Sequence, residues 1–148
     1  MNDSRAYPPR PILAVSAAIF RDRQVLLVRR AHTPARGLFT LPGGVVEVGE
    51  SLVEAVKREV VDETRLAIEP VTIAGYREIM ARDAEGQVEH HFVIMAFAAH
   101  WCAGEPVLNE ELDHYCWVDP GAVAGLATTE GLARLVATAR DRLSGVSA

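Results

Sequence analysis

The sequence has few cysteines, no excess of positive charge and no apolar run of membrane-spanning length. Its two cysteines, Cys102 and Cys116, exclude a disulfide-rich framework, and we expect reduced thiols in a cytoplasmic protein. With a formal net charge of -5, the chain lacks the basic field that attracts nucleic-acid polymers. The longest apolar run near its start, Pro11 to Phe20, is too short to cross a bilayer. We therefore expect neither a polymer-binding protein nor a membrane protein.

Length and composition favour one folded domain. A chain of 148 residues can bury about 68 to 70% of its unfolded surface. A hydrophobic fraction of 49% excludes general disorder. The prolines at positions 8, 9 and 11 predict a flexible N-terminal arm over residues 1–10, followed by a single domain over residues 11–148.

Five segments have the composition of β-strands, with polar turns between them. They comprise residues 12–20, 25–30, 68–80, 89–101 and 112–118. Residues 21–24 suit a hairpin between the first two segments. Thr129 is placed to cap a final helix that has an apolar stripe at helical spacing. The stripe consists of Leu132, Leu135, Val136, Ala139 and Leu143. This order predicts a mixture of α and β structure.

The stretch from Gly44 to Leu66 predicts a glycine turn that leads into a helix. Ser51 and Glu54 form a capping box, in which each side chain accepts a hydrogen bond from the other residue's backbone amide. The helix should therefore begin at about Ser51. Spacings of three and four predict an apolar stripe of Val53, Val56 and Val60.

Three carboxylates share one face of this helix. Glu59, Asp62 and Glu63 lie at positions i, i+3 and i+4, where like charges destabilise an isolated helix by roughly 0.2 to 0.5 kcal/mol per pair. A hard divalent cation would offset this repulsion, because Mg²⁺ binds through a few carboxylates, substrate phosphates and water. An ordinary solvated acidic face is the alternative, since Arg58 and Arg65 lie near Asp62. Glu59 and Glu63, however, have no basic residue four positions away.

The spacing of residues in this stretch resembles the Nudix box of the Nudix hydrolases. The matching positions are Gly44, Glu50, Arg58, Glu59, Val60, Asp62, Glu63 and Leu66. Asp62 stands where the family usually has Glu, and Arg65 stands where it usually has Gly, so Arg65 needs either a positive φ or a different helix end. Neither departure removes a carboxylate. The resemblance extends to residues 14–20, 25–30 and 37–44, and it implies that residues 11–148 are a single Nudix hydrolase domain.

This resemblance implies an α/β/α sandwich around a mixed β-sheet, and an enzyme that cleaves a diphosphate linkage. Its cofactor would be Mg²⁺ or Mn²⁺, because every ligand is an oxygen atom. The implied metal ligands are Glu59, Asp62, Glu63 and the carbonyl of Gly44, with Glu50 in the outer shell. The implied catalytic acids or bases are Glu59, Glu63 and Glu111, with Glu110 as the rival of Glu111. Arg58 is expected to hold a neighbouring carboxylate rather than touch the substrate.

Arginines and aromatic residues outside the box are candidates for contact with the substrate. Arg29 and Arg36 suit phosphate groups, and strand alternation puts only one of Arg29 and Arg30 on a given face. Phe39 and Tyr76 suit stacking on a base, with core packing as the alternative for Phe39.

The strands around the box most resemble those of small bacterial ADP-ribose pyrophosphatases. ADP-ribose or a related nucleoside diphosphate compound is therefore the first expected substrate. A nucleoside triphosphate pyrophosphatase that removes damaged or excess nucleotides is the second interpretation, and a Nudix module that senses a nucleotide without cleaving it is the third. The expected partner is a small nucleotide, with no nucleic-acid polymer and no membrane, and a homodimer is left open.

Overall fold

Seven strands and two α-helices form the fold of residues 5–146, the part of the chain that the computed structural model describes. The strands are β1 (Ile12–Arg21), β2 (Gln24–Arg30), β3 (Phe39–Thr40), β4 (Gly43–Val45), β5 (Ala67–Arg82), β6 (Val88–Ala103) and β7 (Leu112–Val118). The helices are α1 (Leu52–Thr64) and α2 (Leu132–Val146), and a 3₁₀ helix covers Pro120–Gly125. The five predicted strands and both predicted helices are confirmed. The short strands β3 and β4 and the 3₁₀ helix were not predicted.

A tight hairpin joins β1 to β2. Asp22 and Arg23 have φ values of 49° and 70°, as in the turns whose twist matches that of paired antiparallel strands. Phe20 pairs with Val25 and Arg21 with Gln24. The hairpin predicted at residues 21–24 is therefore confirmed.

The strands form one mixed sheet in the order β3-β2-β1-β6-β5, with β4 paired to β1 and β7 paired to β2. Strands β1 and β6 are parallel, and the other pairs are antiparallel. The β1–β4 pairing aligns Val15 with Gly44 and Ser16 with Gly43. This register places the glycine turn beside the middle of the sheet.

Helices cover the two faces of the sheet. On one face, α1 contributes Ala55, Val56 and Val60 to a core shared with β1, β2 and β6. On the other face, the predicted stripe of α2 packs on the alternate residues of the same strands. The predicted α/β/α sandwich around a mixed sheet is confirmed, and its two apolar layers fix α1 relative to the glycine turn.

The predicted stripe of α1 is wrong at its first position. Val53 is 44% exposed, whereas Val56 and Val60 are fully buried. Leu52 packs against the core instead, because positions 52, 56 and 60 follow the i, i+4 line that faces the sheet.

The predicted cap of α2 is also wrong. This helix begins at Leu132, and Thr129 lies three residues earlier. The Thr129 hydroxyl accepts a hydrogen bond from Arg77 Nη1 at 2.7 Å and donates one to Thr40 Oγ1 at 3.2 Å. The Thr129 hydroxyl therefore bonds side chains of β5 and β3 instead of capping α2, the role that the sequence predicted for it.

The described part of the predicted N-terminal arm is anchored. The Tyr7 amide donates to Glu89 O at 2.8 Å, and its hydroxyl donates to Asp83 Oδ2 at 2.7 Å. Residues 1–4 lie outside the described part of the chain. Both cysteines are free thiols, and none of the helices within residues 5–146 is long and apolar enough to cross a membrane.

Candidate active site

Helix α1 has a defined cap at each end, the Ser51–Glu54 capping box at its start and Arg65 at its end. Ser51 Oγ accepts from the Glu54 amide at 3.1 Å, and Glu54 Oε1 accepts from the Ser51 amide at 2.8 Å. The capping box is confirmed. At the other end, Arg65 has φ 64° and ψ 14°, and its amide donates to Val61 O at 2.9 Å. Arg65 therefore occupies the left-handed conformation that the usual glycine would adopt freely.

The glycine turn lies directly against the carboxylates of α1. The Gly43 amide donates to Glu63 Oε1 at 3.1 Å. At Gly44, an added Cβ would collide with the carboxylate of Glu59. Glycine at position 44 thus leaves room for a carboxylate to approach the backbone.

Arg58 links the acidic residues. It donates to both oxygens of Glu50, from Nε at 2.6 Å and from Nη2 at 2.8 Å, and Nη1 donates to Glu59 Oε1 at 3.0 Å. Asp62 lies farther away, at 3.6 Å from Nη1. Arg58 therefore orients neighbouring carboxylates, as expected. Among residues 5–146, Glu54, four positions before Arg58, forms no ion pair with it, because Glu54 accepts from the Ser51 amide in the capping box.

Burial and hydrogen bonding give the acidic residues different pKa values. Burial raises the pKa of Glu63 to about 7, although the hydrogen bond from Gly43 opposes this shift. Burial also raises the pKa of Glu59, against the effect of the Arg58 charge. The hydrogen bonds from Arg58, followed by the one from the Glu47 amide, lower the pKa of Glu50 to about 2. Glu50 is thus a fixed anion, whereas Glu63 exchanges protons near neutral pH.

A cavity of about 420 Å³ opens beside these residues. The carboxylate-bearing residues along its wall are Glu47, Glu59, Asp62, Glu63 and Glu111. Glu110 is exposed and does not line the cavity. Glu111 therefore lines the same cavity as the predicted metal ligands, whereas Glu110, the alternative candidate for its catalytic role, does not.

The chemistry of these residues fits a hard cation. They offer only oxygen donors, which suit Mg²⁺ or Mn²⁺. Within residues 5–146, no group of three or more His, Cys, Asp or Glu side chains is already arranged to hold an ion. Arg58 contacts one oxygen of Glu59 and the Gly43 amide contacts one oxygen of Glu63, so each carboxylate keeps a second oxygen for a cation.

The four predicted substrate-binding residues lie outside the cavity lining. Arg29 Nε donates to Asp113 Oδ1 at 2.7 Å, and Arg36 is exposed. Phe39 packs against the α2 core, which was its alternative role, and Tyr76 is 59% exposed. Their part in substrate binding stays a prediction that this geometry does not support.

Other cationic and polar side chains line the cavity instead. They include Arg5, Arg30, Arg77, Ser16, Thr40, His90, Asn109 and Thr129. Arg30 is the alternate residue to Arg29 on β2, as strand alternation allowed. One sequence signal was available for Arg77, since period two along β5 places Arg77 and Ile79 on one face and Tyr76 on the other. Nothing local in the sequence indicated that this face of β5 lines the same cavity as the carboxylates of α1.

Comparison with known proteins agrees with this geometry. The model of the NUDIX domain matches residues 10–139. An ADP-ribose pyrophosphatase of Methanocaldococcus jannaschii is 41% identical over 78 residues, which are 53% of this chain and 46% of the relative. This chain spans about half the length, or less, of the curated relatives it matches.

Solved structures show the same fold. A MutT NUDIX hydrolase of Burkholderia pseudomallei has 29% identity and a TM-score of 0.72, with coverage of 87% of this chain and 98% of that one. The NUDIX domain of Shewanella oneidensis NrtR, complexed with ADP ribose, has 26% identity and a TM-score of 0.69, with coverage of 90% and 89%. With its box helix, glycine turn and sandwich, this chain belongs to the NUDIX domain family.

Proposed function

We propose that this protein is a metal-dependent pyrophosphohydrolase that cleaves the diphosphate linkage of a nucleoside diphosphate joined to another group. The observation that carries the proposal is that Glu59, Asp62, Glu63 and Glu111 meet at one cavity beside Gly43–Gly44. A diphosphate is multiply anionic, so this acidic wall binds it only when cations lie between them.

Glu59, Asp62 and Glu63, with the carbonyl of Gly44, would hold Mg²⁺ or Mn²⁺. The bound ion would neutralise phosphate oxygens and lower the pKa of an attacking water. The chain's own contribution is orientation: Arg58 holds Glu59, and the Gly43 amide holds Glu63. Glu63 must also release its proton before it can bind a cation.

The proton from the attacking water would pass to Glu59, Glu63 or Glu111. All three line the cavity, so each meets the positional requirement for a general base. Glu63 differs from the others in that burial raises its pKa to about 7. Glu111 differs in that it belongs to the segment before β7 and not to α1.

ADP-ribose is the first substrate to test. It is supported by the name of the M. jannaschii relative and by the ligand of the NrtR domain. A nucleoside triphosphate pyrophosphatase and a nucleotide-sensing module that does not cleave remain the alternatives. The carboxylates that line the cavity favour an enzyme over a sensor.

The test is a panel of ADP-ribose, dinucleotides and nucleoside triphosphates incubated with Mg²⁺ or Mn²⁺, with products identified by mass. Cleavage of ADP-ribose to AMP and ribose 5-phosphate is expected. Release of pyrophosphate from a triphosphate alone would favour the second function, and binding without cleavage would favour the sensor.

Substitution of the helix carboxylates tests the site itself. Glu59→Gln and Glu63→Gln should each reduce turnover by at least about 10², the scale of a lost metal ligand or acid–base group. Glu78→Gln is the matched control, because Glu78 is exposed on β5 and lies outside the cavity lining. Near wild-type turnover of either helix variant at saturating Mg²⁺ would contradict the metal-site assignment.

The proposal includes a cytoplasmic location and a homodimer as the assembly to test. Two free thiols, Cys102 and Cys116, suit a reducing compartment.

The edge strand β5 exposes Tyr76 and Met80, at 59% and 51%, and a homodimer would cover this surface. Size-exclusion chromatography with light scattering decides between monomer and dimer.

A further inference from the structure

Three buried polar atoms lack a hydrogen-bond partner within residues 5–146, and all three belong to side chains of the same cavity. They are Ser16 Oγ, Arg77 Nε and His90 Nδ1. Buried side-chain polar atoms are normally bonded, so each exception calls for an explanation. Because the three converge on one cavity, a polar ligand that binds there explains them together.

Arg77 is held in place by neutral groups. Its Nη1 donates to Thr129 Oγ1 at 2.7 Å and to Glu130 O at 3.3 Å, and its Nη2 donates to Thr40 Oγ1 at 3.3 Å. No carboxylate forms an ion pair with it among the described residues, and burial lowers its pKa. The guanidinium is therefore oriented from its Nη side while Nε–H stays free. Since a guanidinium only donates, its ligand must present acceptors.

The sheet beneath Arg77 supplies an apolar floor. Arg77 pairs with Ile94 and Ile79 pairs with Phe92 across β5 and β6, and all four residues line the cavity. His90 follows on β6, about 13 Å from Ile94 at the usual rise per residue. Its ring stacks on Phe92, with the centroids 6.4 Å apart. This apolar floor suits the face of a flat ring and does not suit a phosphate, which would lose its hydrating water there.

We propose that the Arg77 end of the cavity binds the nucleobase of the substrate and prefers a 6-oxopurine, such as guanine or hypoxanthine, to adenine. A 6-oxopurine presents two adjacent acceptors, O6 and N7, which would meet Nε–H and the second hydrogen of Nη2, since Nη2 donates only to Thr40 Oγ1 among the described residues. Adenine presents N7 beside an amino group, and that amino group would meet Arg77 donor to donor. The inference rests on the proposed function, which places the diphosphate at the carboxylates and leaves this end for the base. It predicts that ADP-ribose is cleaved, but more slowly than the guanosine diphosphate compound with the same second group.

Binding of mononucleotides in EDTA tests this inference apart from catalysis. Isothermal titration should show that GMP and IMP bind the wild-type protein about tenfold or more tightly than AMP, the scale of one bidentate contact. The 7-deaza analogue of GMP, which lacks the N7 acceptor, should lose most of this advantage. Inorganic phosphate alone should bind far more weakly than GMP.

The substitution Arg77→Gln should reverse the preference. A glutamine amide offers one donor and one acceptor, the pattern that pairs with adenine N7 and its amino group, so AMP should then bind more tightly than GMP. Arg82→Gln is the matched control, because Arg82 lies on the same strand but is exposed and outside the cavity lining. It should keep the wild-type order.

The outcomes separate this inference from the proposed function. Equal binding of GMP, AMP and 7-deaza-GMP to the wild-type protein would overturn the base preference even if Arg77→Gln failed to fold. Phosphate binding as tight as GMP binding would also overturn it, by placing an anion at Arg77. If the guanine preference holds but no diphosphate is cleaved in the substrate panel, the proposed function fails and the base site stands. Cleavage without any base preference would support the proposed function and overturn the base site.

Discussion

The carboxylate of Glu59 fills the space that a Cβ at position 44 would need. Arg58 holds the same carboxylate through a 3.0 Å hydrogen bond to Oε1, so it cannot move aside without weakening that ion pair. The box glycine and the box glutamate are thus coupled by sterics, although they are 15 positions apart in the sequence. This contact accounts for glycine at position 44 without any positive φ.

Gly44→Ala should therefore impair catalysis more than folding. The new methyl group pushes the Glu59 carboxylate out of place, and a misplacement of about 1 Å can reduce turnover by roughly 10². The colliding atoms belong to a flexible side chain, so the free energy of unfolding should fall by only about 1 kcal/mol. Turnover with Mg²⁺ and urea unfolding measure the two effects.

Gly43→Ala should show the opposite balance. A Cβ at position 43 would meet the Val15 carbonyl and Ser16 Cα, which are backbone atoms of the paired strand, so the β1–β4 pairing must shift. We expect a loss of about 2 to 3 kcal/mol in the free energy of unfolding. Gly125→Ala is the control, since nothing lies within 4 Å of its added Cβ. A larger stability loss for Gly44→Ala than for Gly43→Ala would contradict this distinction.

Local chemistry explains why the sequence predicted α1 and its carboxylates well. The Ser51–Glu54 capping box is read within four residues, and the acidic face follows from helical geometry alone. Val53 was misplaced because spacing defines a helical face but not its centre. Packing of α1 against the sheet places Leu52 toward the core and leaves Val53 exposed.

The base end of the cavity could not be predicted in the same way. Its residues come from β1, β5 and β6, and Ser16 is far from Arg77 along the chain. Only the parallel pairing of β1 with β6, together with the β5–β6 register, brings them to one face. Alternation showed that Arg29 and Arg30 point to different sides, but the choice between them depends on which side of β2 faces the cavity.

Glu111→Gln should reduce turnover more than Glu110→Gln does. Glu111 lines the cavity with the helix carboxylates, whereas Glu110 is exposed outside it. Loss of an acid–base group is expected to reduce turnover by about 10² or more and to change substrate affinity less. Both variants should be measured over the same Mg²⁺ series. Small and equal effects would return the base to α1, at Glu59 or Glu63.

In metal-free solution, the Glu63 carboxyl should make the fold less stable as the pH rises. Burial raises its pKa to about 7, against about 4.3 in an unfolded chain, so the folded state binds the proton more tightly. This contribution is fully present below pH of about 4.3 and is lost as the pH rises through about 7. It amounts to at most about 4 kcal/mol.

Urea unfolding in EDTA at about pH 5 and about pH 8 measures this effect. The wild-type protein should lose more stability between the two pH values than Glu63→Gln, which keeps an oxygen for the Gly43 amide but does not titrate. The same loss in both proteins would show that Glu63 is not the group responsible.

Arg65→Gly should change stability and leave the chemistry alone. Arg65 has a φ of 64°, a conformation that a side chain resists and glycine adopts freely, at a difference of about 1 kcal/mol. Glycine also gives the unfolded chain more freedom, so the net result should lie between neutral and about 1 kcal/mol of stabilisation. Arg65→Ala is the matched control, because it removes the guanidinium but keeps the Cβ, and it should not be stabilising. Unfolding curves and turnover over one Mg²⁺ series provide both measurements. A large gain in turnover for Arg65→Gly alone would contradict this expectation, because it would mean that the arginine weakens the enzyme, and it would favour the nucleotide-sensing function.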